Sequence, residues 1–120
     1  MKTGISGEIW NEISDVFENF SKITQVILFG SRAMENFREG SDIDLAIKGD
    51  NIALNDLLDI EAALEDLQLL YNFDLVNFAQ LTNTELKDHI NRVGTVIYTK
   101  KQPNSKPSLP STSQTNQKKR

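Results

Sequence analysis

The chain has 120 residues, with 13 basic and 17 acidic side chains, no cysteine and a formal net charge of −4. A chain without thiols excludes disulfides, thiolate catalysis and cysteine-ligated zinc, and this length supports one small domain. Five of the 13 basic residues and no acid lie in 101–120, so residues 1–100 hold 8 basic against 17 acidic groups, a balance of −9. Such a body suits divalent cations better than a phosphate backbone, and no direct nucleic-acid binding is expected of it.

From the amino end, residues 1–10 lack the apolar core of a secretory leader. No apolar run approaches the ~20 residues that cross a bilayer, so a soluble cytoplasmic protein without membrane contact is expected. Ile9, Ile13, Val16, Phe17 and Phe20 recur at helical spacing behind Ser6, a candidate N-cap, and Trp10, Phe17 and Phe20 are expected to pack this helix on the core. Residues 24–29 (TQVILF) form a β-branched apolar run that stops at Gly30 and predicts a buried strand. A short helix is predicted over 32–37. Residues 42–48 (DIDLAIK) alternate polar and apolar, a second strand. The leucine-rich stretch 55–70 predicts a helix whose acids Asp56, Asp59, Glu61, Glu65 and Asp66, with no bases nearby in sequence, make a solvated face.

Residues 72–78 (NFDLVNF) alternate again. Thr82 with Glu85 reads as a capping box for a helix ending near Gly94, on whose surface the single histidine, His89, is expected. Residues 95–99 (TVIYT) close as a short strand. The segment 101–120 holds one large apolar residue, Leu109, and all three prolines, so a disordered basic tail is expected after a domain of residues 1–100. Helices and strands taking turns predict an α/β or α+β fold, a small mixed β-sheet flanked by helices.

Three features carry chemistry. Gly30-Ser31 directly follows a strand, where a glycine lets a ligand approach the backbone and the turn offers N–H groups and a hydroxyl to an anion. Asp42 and Asp44 are two apart on a strand and share a face, while Ile43, Leu45 and Ile47 point oppositely into the core. Two adjacent carboxylates repel and raise one another's pKa unless a cation lies between them, and such hard ligands suit Mg²⁺ or Mn²⁺. An edge strand with incidental acids is the plain alternative. Asp74, between Phe73 and Leu75 on the next strand, joins the pair if the strands are neighbours. Three strand carboxylates facing a phosphate-binding turn are the parts of a two-metal phosphoryl- or nucleotidyl-transfer site.

Gly30-Ser31, ten intervening residues and then Asp42-Ile43-Asp44 resembles the Gly-Ser-x10-Asp-x-Asp signature of the polymerase β-like nucleotidyltransferase superfamily, with Asp74 where its third carboxylate falls. The stretches FGSRA and GSDIDLAI resemble the minimal nucleotidyltransferase (MNT) branch, which includes antitoxins paired with HEPN-domain ribonuclease toxins. The resemblance spans roughly residues 26–98. It implies ATP as substrate and two Mg²⁺ ions, with Asp42 and Asp44 bridging both metals and Asp74 holding the one that activates the acceptor hydroxyl. It further implies that Gly30 and Ser31 grip the phosphates, that Arg32 neutralises charge there, and that AMP passes to a tyrosine of the HEPN toxin. Many relatives carry a basic residue and glycine after Gly-Ser-Arg-Ala, whereas this chain has Met34-Glu35; Asn36 is then expected to supply the left-handed turn. A second reading is an antitoxin that masks its toxin by binding, with little or no transfer. Transfer to a small molecule such as an aminoglycoside is a third, disfavoured because about 100 folded residues leave little room for an acceptor domain.

Overall fold

The structure, a computed structural model, describes residues 3–101. The expected tail lies outside the described residues, apart from Lys101. Helix α1 (Gly7–Glu18) begins where the Ser6 side chain accepts a hydrogen bond from the Ile9 amide at 3.2 Å, and its Ile13, Val16 and Phe17 are buried. Strands β1 (Ile23–Phe29) and β2 (Ile43–Gly49) follow, then helix α2 (Leu54–Glu65), strand β3 (Phe73–Asn77) and a 3₁₀ turn (Phe78–Gln80). Helix α3 (Thr84–Val93) and strand β4 (Thr95–Thr99) complete the order.

The strands lie in the order β3-β2-β1-β4. β1 is antiparallel to β2 and β4, whereas β2 and β3 are parallel and joined through α2, so the sheet is mixed and the fold is α+β. Strand alternation divides the core. Ile43, Leu45 and Ile47 of β2 with Val26 and Leu28 of β1 meet Ile13 and Phe17 of α1 and Ile60 and Leu64 of α2. The opposite face carries Ile27, Phe29 and Ala46 against Ile90 of α3. Each large side chain buried in these layers stabilises the domain by roughly 1.5–3 kcal/mol. Trp10 and Phe20 pack against the first layer from its margin, as expected. Among the described residues no helix is long and apolar enough to cross a membrane.

Several boundaries differ from the sequence reading. α2 ends at Glu65 rather than near Leu70, because Gln68 turns left-handed at φ +57 and its amide bonds back to Glu65 O at 3.0 Å; Leu67 and Leu69 reach the core from this turn. The cap of α3 is Asn83, one residue past Thr82: its side chain accepts from the Leu86 amide at 3.0 Å, and Asn is the better cap. Residues 32–37 form no helix. The Ala33 and Met34 amides both bond to Gly30 O (3.1 and 3.2 Å), and Asn36 N–H reaches Ser31 O at 3.1 Å. Closing that turn puts Glu35, not Asn36, in the left-handed region at φ +61. The acidic face of α2 is also not wholly solvated, since Asp56 pairs with Lys22 at 3.1 Å across the fold.

Candidate active site

β1 ends in Phe29, whose register partner on β2 is Asp44, and Gly30 follows at φ +77. A Cβ at Gly30 would overlap Asp44 Oδ2, so glycine is required here twice: for the left-handed backbone and for the carboxylate lying over it. Asp44 in turn is the register partner of Asp74 on parallel β3. Register partners share a face of the sheet, and alternation places both on the side of Ala46, Phe29 and α3. Asp42 stands exposed one residue before β2. Asp44 is half-buried, and its pKa is pushed up to about 6 by burial first, then by the negative charges of Asp74 and Asp42, with His89 acting in the opposite sense. Asp74 itself is exposed rather than enclosed; only its neighbours Phe73 and Leu75 pack into the core.

The turn beside these carboxylates offers specific donors. Among the described residues, the amides of Ser31 and Arg32 and the Ser31 hydroxyl donate to no protein acceptor. The Gly30 N–H is taken: it donates to Nε2 of His89 at 3.3 Å, and the His89 ring stands edge-on to Phe29 at 6.2 Å between centroids. His89 was expected on the helix surface. Its contact spans 59 residues of sequence and arises because Ile90, one residue on, docks α3 on the β1–β2 face. No local pattern around His89 signals it. The Arg32 side chain is engaged elsewhere, 2% exposed, with Nε and Nη2 on Ser41 O and Nη1 on Thr3 O.

Among the described residues, no group of three or more His, Asp and Glu is gathered as a metal-binding shell. The donor chemistry of the carboxylates still fits a hard divalent cation. Asp44 and Asp74 sit side by side on adjacent strands and Asp42 adds its charge, so a bound cation would offset both the burial and the like-charge repulsion that raise the Asp44 pKa.

Residues 11–103 match the family described as polymerase beta, nucleotidyltransferase. The chain belongs to this nucleotidyltransferase family. No curated protein matches the sequence. Solved structures share its fold. One is a toxin–antitoxin complex with AMP-PNP, 22% identical with a TM-score of 0.64, covering 76% of this chain and 73% of the other. Another is an MntA–HepT toxin–antitoxin complex, at 21% identity and TM-score 0.61, covering 79% and 74%. A third is the complex of a tri-AMPylated Shewanella oneidensis HEPN toxin with an MNT antitoxin, at 21% identity and TM-score 0.59, covering 78% and 71%. As a nucleotidyltransferase fold, the chain sets its three motif carboxylates at the same end of the sheet as the Gly30-Ser31 turn.

Proposed function

We propose that this domain moves AMP from ATP onto a tyrosine hydroxyl of a HEPN-type toxin and thereby acts as a cytoplasmic antitoxin. The observation that carries the reading is the placement of Asp44 and Asp74 as register partners beside a turn with free amides at Ser31 and Arg32. Structural likeness to antitoxin complexes, one with AMP-PNP and one with an AMPylated toxin, supports the choice of nucleotide and acceptor.

In this mechanism the Ser31 and Arg32 amides and the Ser31 hydroxyl bind the β- and γ-phosphates. Gly30 keeps the turn close to Asp44, which leaves the α-phosphate over the carboxylates. Asp42, Asp44 and Asp74 would hold two Mg²⁺ ions, which supply charge neutralisation and lower the pKa of the acceptor hydroxyl. Asp74, exposed on the edge strand β3, accepts the tyrosine proton as general base. The tyrosine oxygen attacks the α-phosphorus, the bond to the bridging oxygen breaks, and pyrophosphate leaves. AMP on the toxin then blocks it through bulk and negative charge.

The test is label transfer from ATP and Mg²⁺ into a co-purified or genetically adjacent HEPN-type protein, run with α- and γ-labelled ATP and with Asp44→Ala as control. Label from the α position alone, lost in the variant, is the expected result. Label from the γ position would mean phosphorylation and would overturn the mechanism. A stable complex without label would make the domain a masking antitoxin.

A further inference from the structure

Arg32 is the largest fully buried side chain of the domain. Among the described residues it has no carboxylate partner, the two ion pairs being Lys22–Asp56 and Arg92–Asp88. A buried guanidinium without a counter-ion is costly unless its N–H groups are satisfied. They are satisfied by backbone: Nε and Nη2 grip the single carbonyl of Ser41 at 3.1 and 2.8 Å, and Nη1 holds Thr3 O at 2.7 Å. The plane is covered by two rings, with Phe37 at 4.9 Å and Tyr71 at 5.1 Å from the guanidinium carbon. Filling this volume needs only an apolar side chain. The planar fork is needed to fix a carbonyl.

The carbonyl it fixes is that of the residue before Asp42. On the other side of Asp42, the Ile43 amide is held by Asn72 O at 2.8 Å, and Asn72 follows the Tyr71 that stacks on Arg32. The backbone of Asp42 is therefore clamped at both flanks, although its side chain is exposed and lies outside β2. Ser41 is further closed on itself by its amide to Arg38 O (2.9 Å) and its hydroxyl from the Arg38 amide (2.8 Å).

We infer that Arg32 is a positioning residue that sets Asp42 relative to Asp74, and that it is not the phosphate-neutralising group its place in the motif suggests. This rests on the nucleotidyl-transfer reading of the carboxylates. Lysine keeps the charge but presents its donors from a single nitrogen, with no planar fork and no stacking plane, so Arg32→Lys loosens Ser41.

The test uses the full chain as Arg32→Lys and Arg32→Met, with three readouts below the unfolding temperature of each variant. Amide hydrogen exchange at residues 41–43 rises about tenfold in both variants. Mn²⁺ affinity, read by electron paramagnetic resonance, falls several-fold. In label transfer, kcat falls at least tenfold while KM for ATP stays within about twofold. A raised KM with unchanged exchange and unchanged Mn²⁺ affinity would make Arg32 a phosphate ligand and overturn the inference. A lower unfolding temperature with all three readouts unchanged would reduce it to packing, and would overturn it equally. Should the wild-type chain transfer no label, the transfer reading fails, while exchange and Mn²⁺ binding still decide whether Arg32 holds Asp42.

Discussion

The backbone N–H of Gly30 donates to Nε2 of His89 across 3.3 Å, so the glycine that opens the Ser31 turn is anchored to a helix 59 residues later. The bond takes the ring as an acceptor, through Nε2. It also assigns the donors of the turn: Gly30 is occupied, and the Ser31 and Arg32 amides remain for an anion.

His89→Phe keeps a ring against Phe29 but leaves the half-buried Gly30 amide without an acceptor. The expected loss is about 1–2 kcal/mol in stability, with KM for ATP rising several-fold. His89→Gln, whose Oε1 can accept, recovers most of both. Thermal unfolding and steady-state transfer measure the pair; a Phe variant equal to wild type would show that the turn needs no anchor.

The Asp44 carboxyl titrates near 6 in the folded chain against 3.8 as its ordinary value. The folded state therefore keeps this proton when the unfolded state has released it, and stability falls as pH rises through that window. Asp44→Asn removes the effect. At pH 8 without divalent ions, the variant is expected to be more stable than wild type by about 1 kcal/mol, a figure reduced for solvent screening of a half-exposed group. At pH 3.5 the charge term vanishes. Adding Mn²⁺ at pH 8 stabilises wild type and leaves Asp44→Asn unmoved. Transfer falls by more than the roughly 10–100-fold that loss of an outer-shell partner of a metal costs. Urea unfolding across pH 3.5–8 gives the slope, and a pH-independent difference would rule out repulsion at this site.

Much of the site is readable because it is local. Asp42 and Asp44 are bound to one face by a two-residue period, and Gly30 ends a β-branched apolar run that reads as a strand. That Asp74 joins them is conditional on the two strands being neighbours, and its register with Asp44 comes from the pairing of β2 with β3. His89 and the buried clamp of Arg32 are set by tertiary docking, of α3 on Phe29 and of the Thr3 and Ser41 carbonyls on the Arg32 guanidinium, and no periodicity encodes either. The same cause explains Asp56, whose partner Lys22 is 34 residues away. Glu35 illustrates the reverse: its own preference opposes φ +61, and the hydrogen bonds of the surrounding turn override it.

Glu35→Gly tests that override. A non-glycine residue in the left-handed region costs about 1 kcal/mol, partly offset by the greater chain entropy of glycine when unfolded, so the variant is expected to gain about 0.5 kcal/mol. It also removes a negative charge from the turn that carries the free amides, and KM for ATP should fall. A variant that loses stability would mean that the Glu35 side chain makes compensating contacts in solution.

Gly30→Ala brings two penalties that can be separated. The left-handed backbone alone costs roughly 1–2 kcal/mol, and the new Cβ meets Asp44 Oδ2, so a total of about 2–4 kcal/mol is expected. Asp44→Ala removes the obstructing carboxylate. In a double-mutant cycle on stability, the Gly30→Ala penalty in the Asp44→Ala background should shrink by about 1 kcal/mol or more, the remainder being backbone strain. Coupling of that size ties the glycine to the carboxylate rather than to the turn alone. A cycle without coupling would mean that Asp44 moves away from the turn at no cost, and the close approach of Gly30 to Asp44 would then have no part in holding the site.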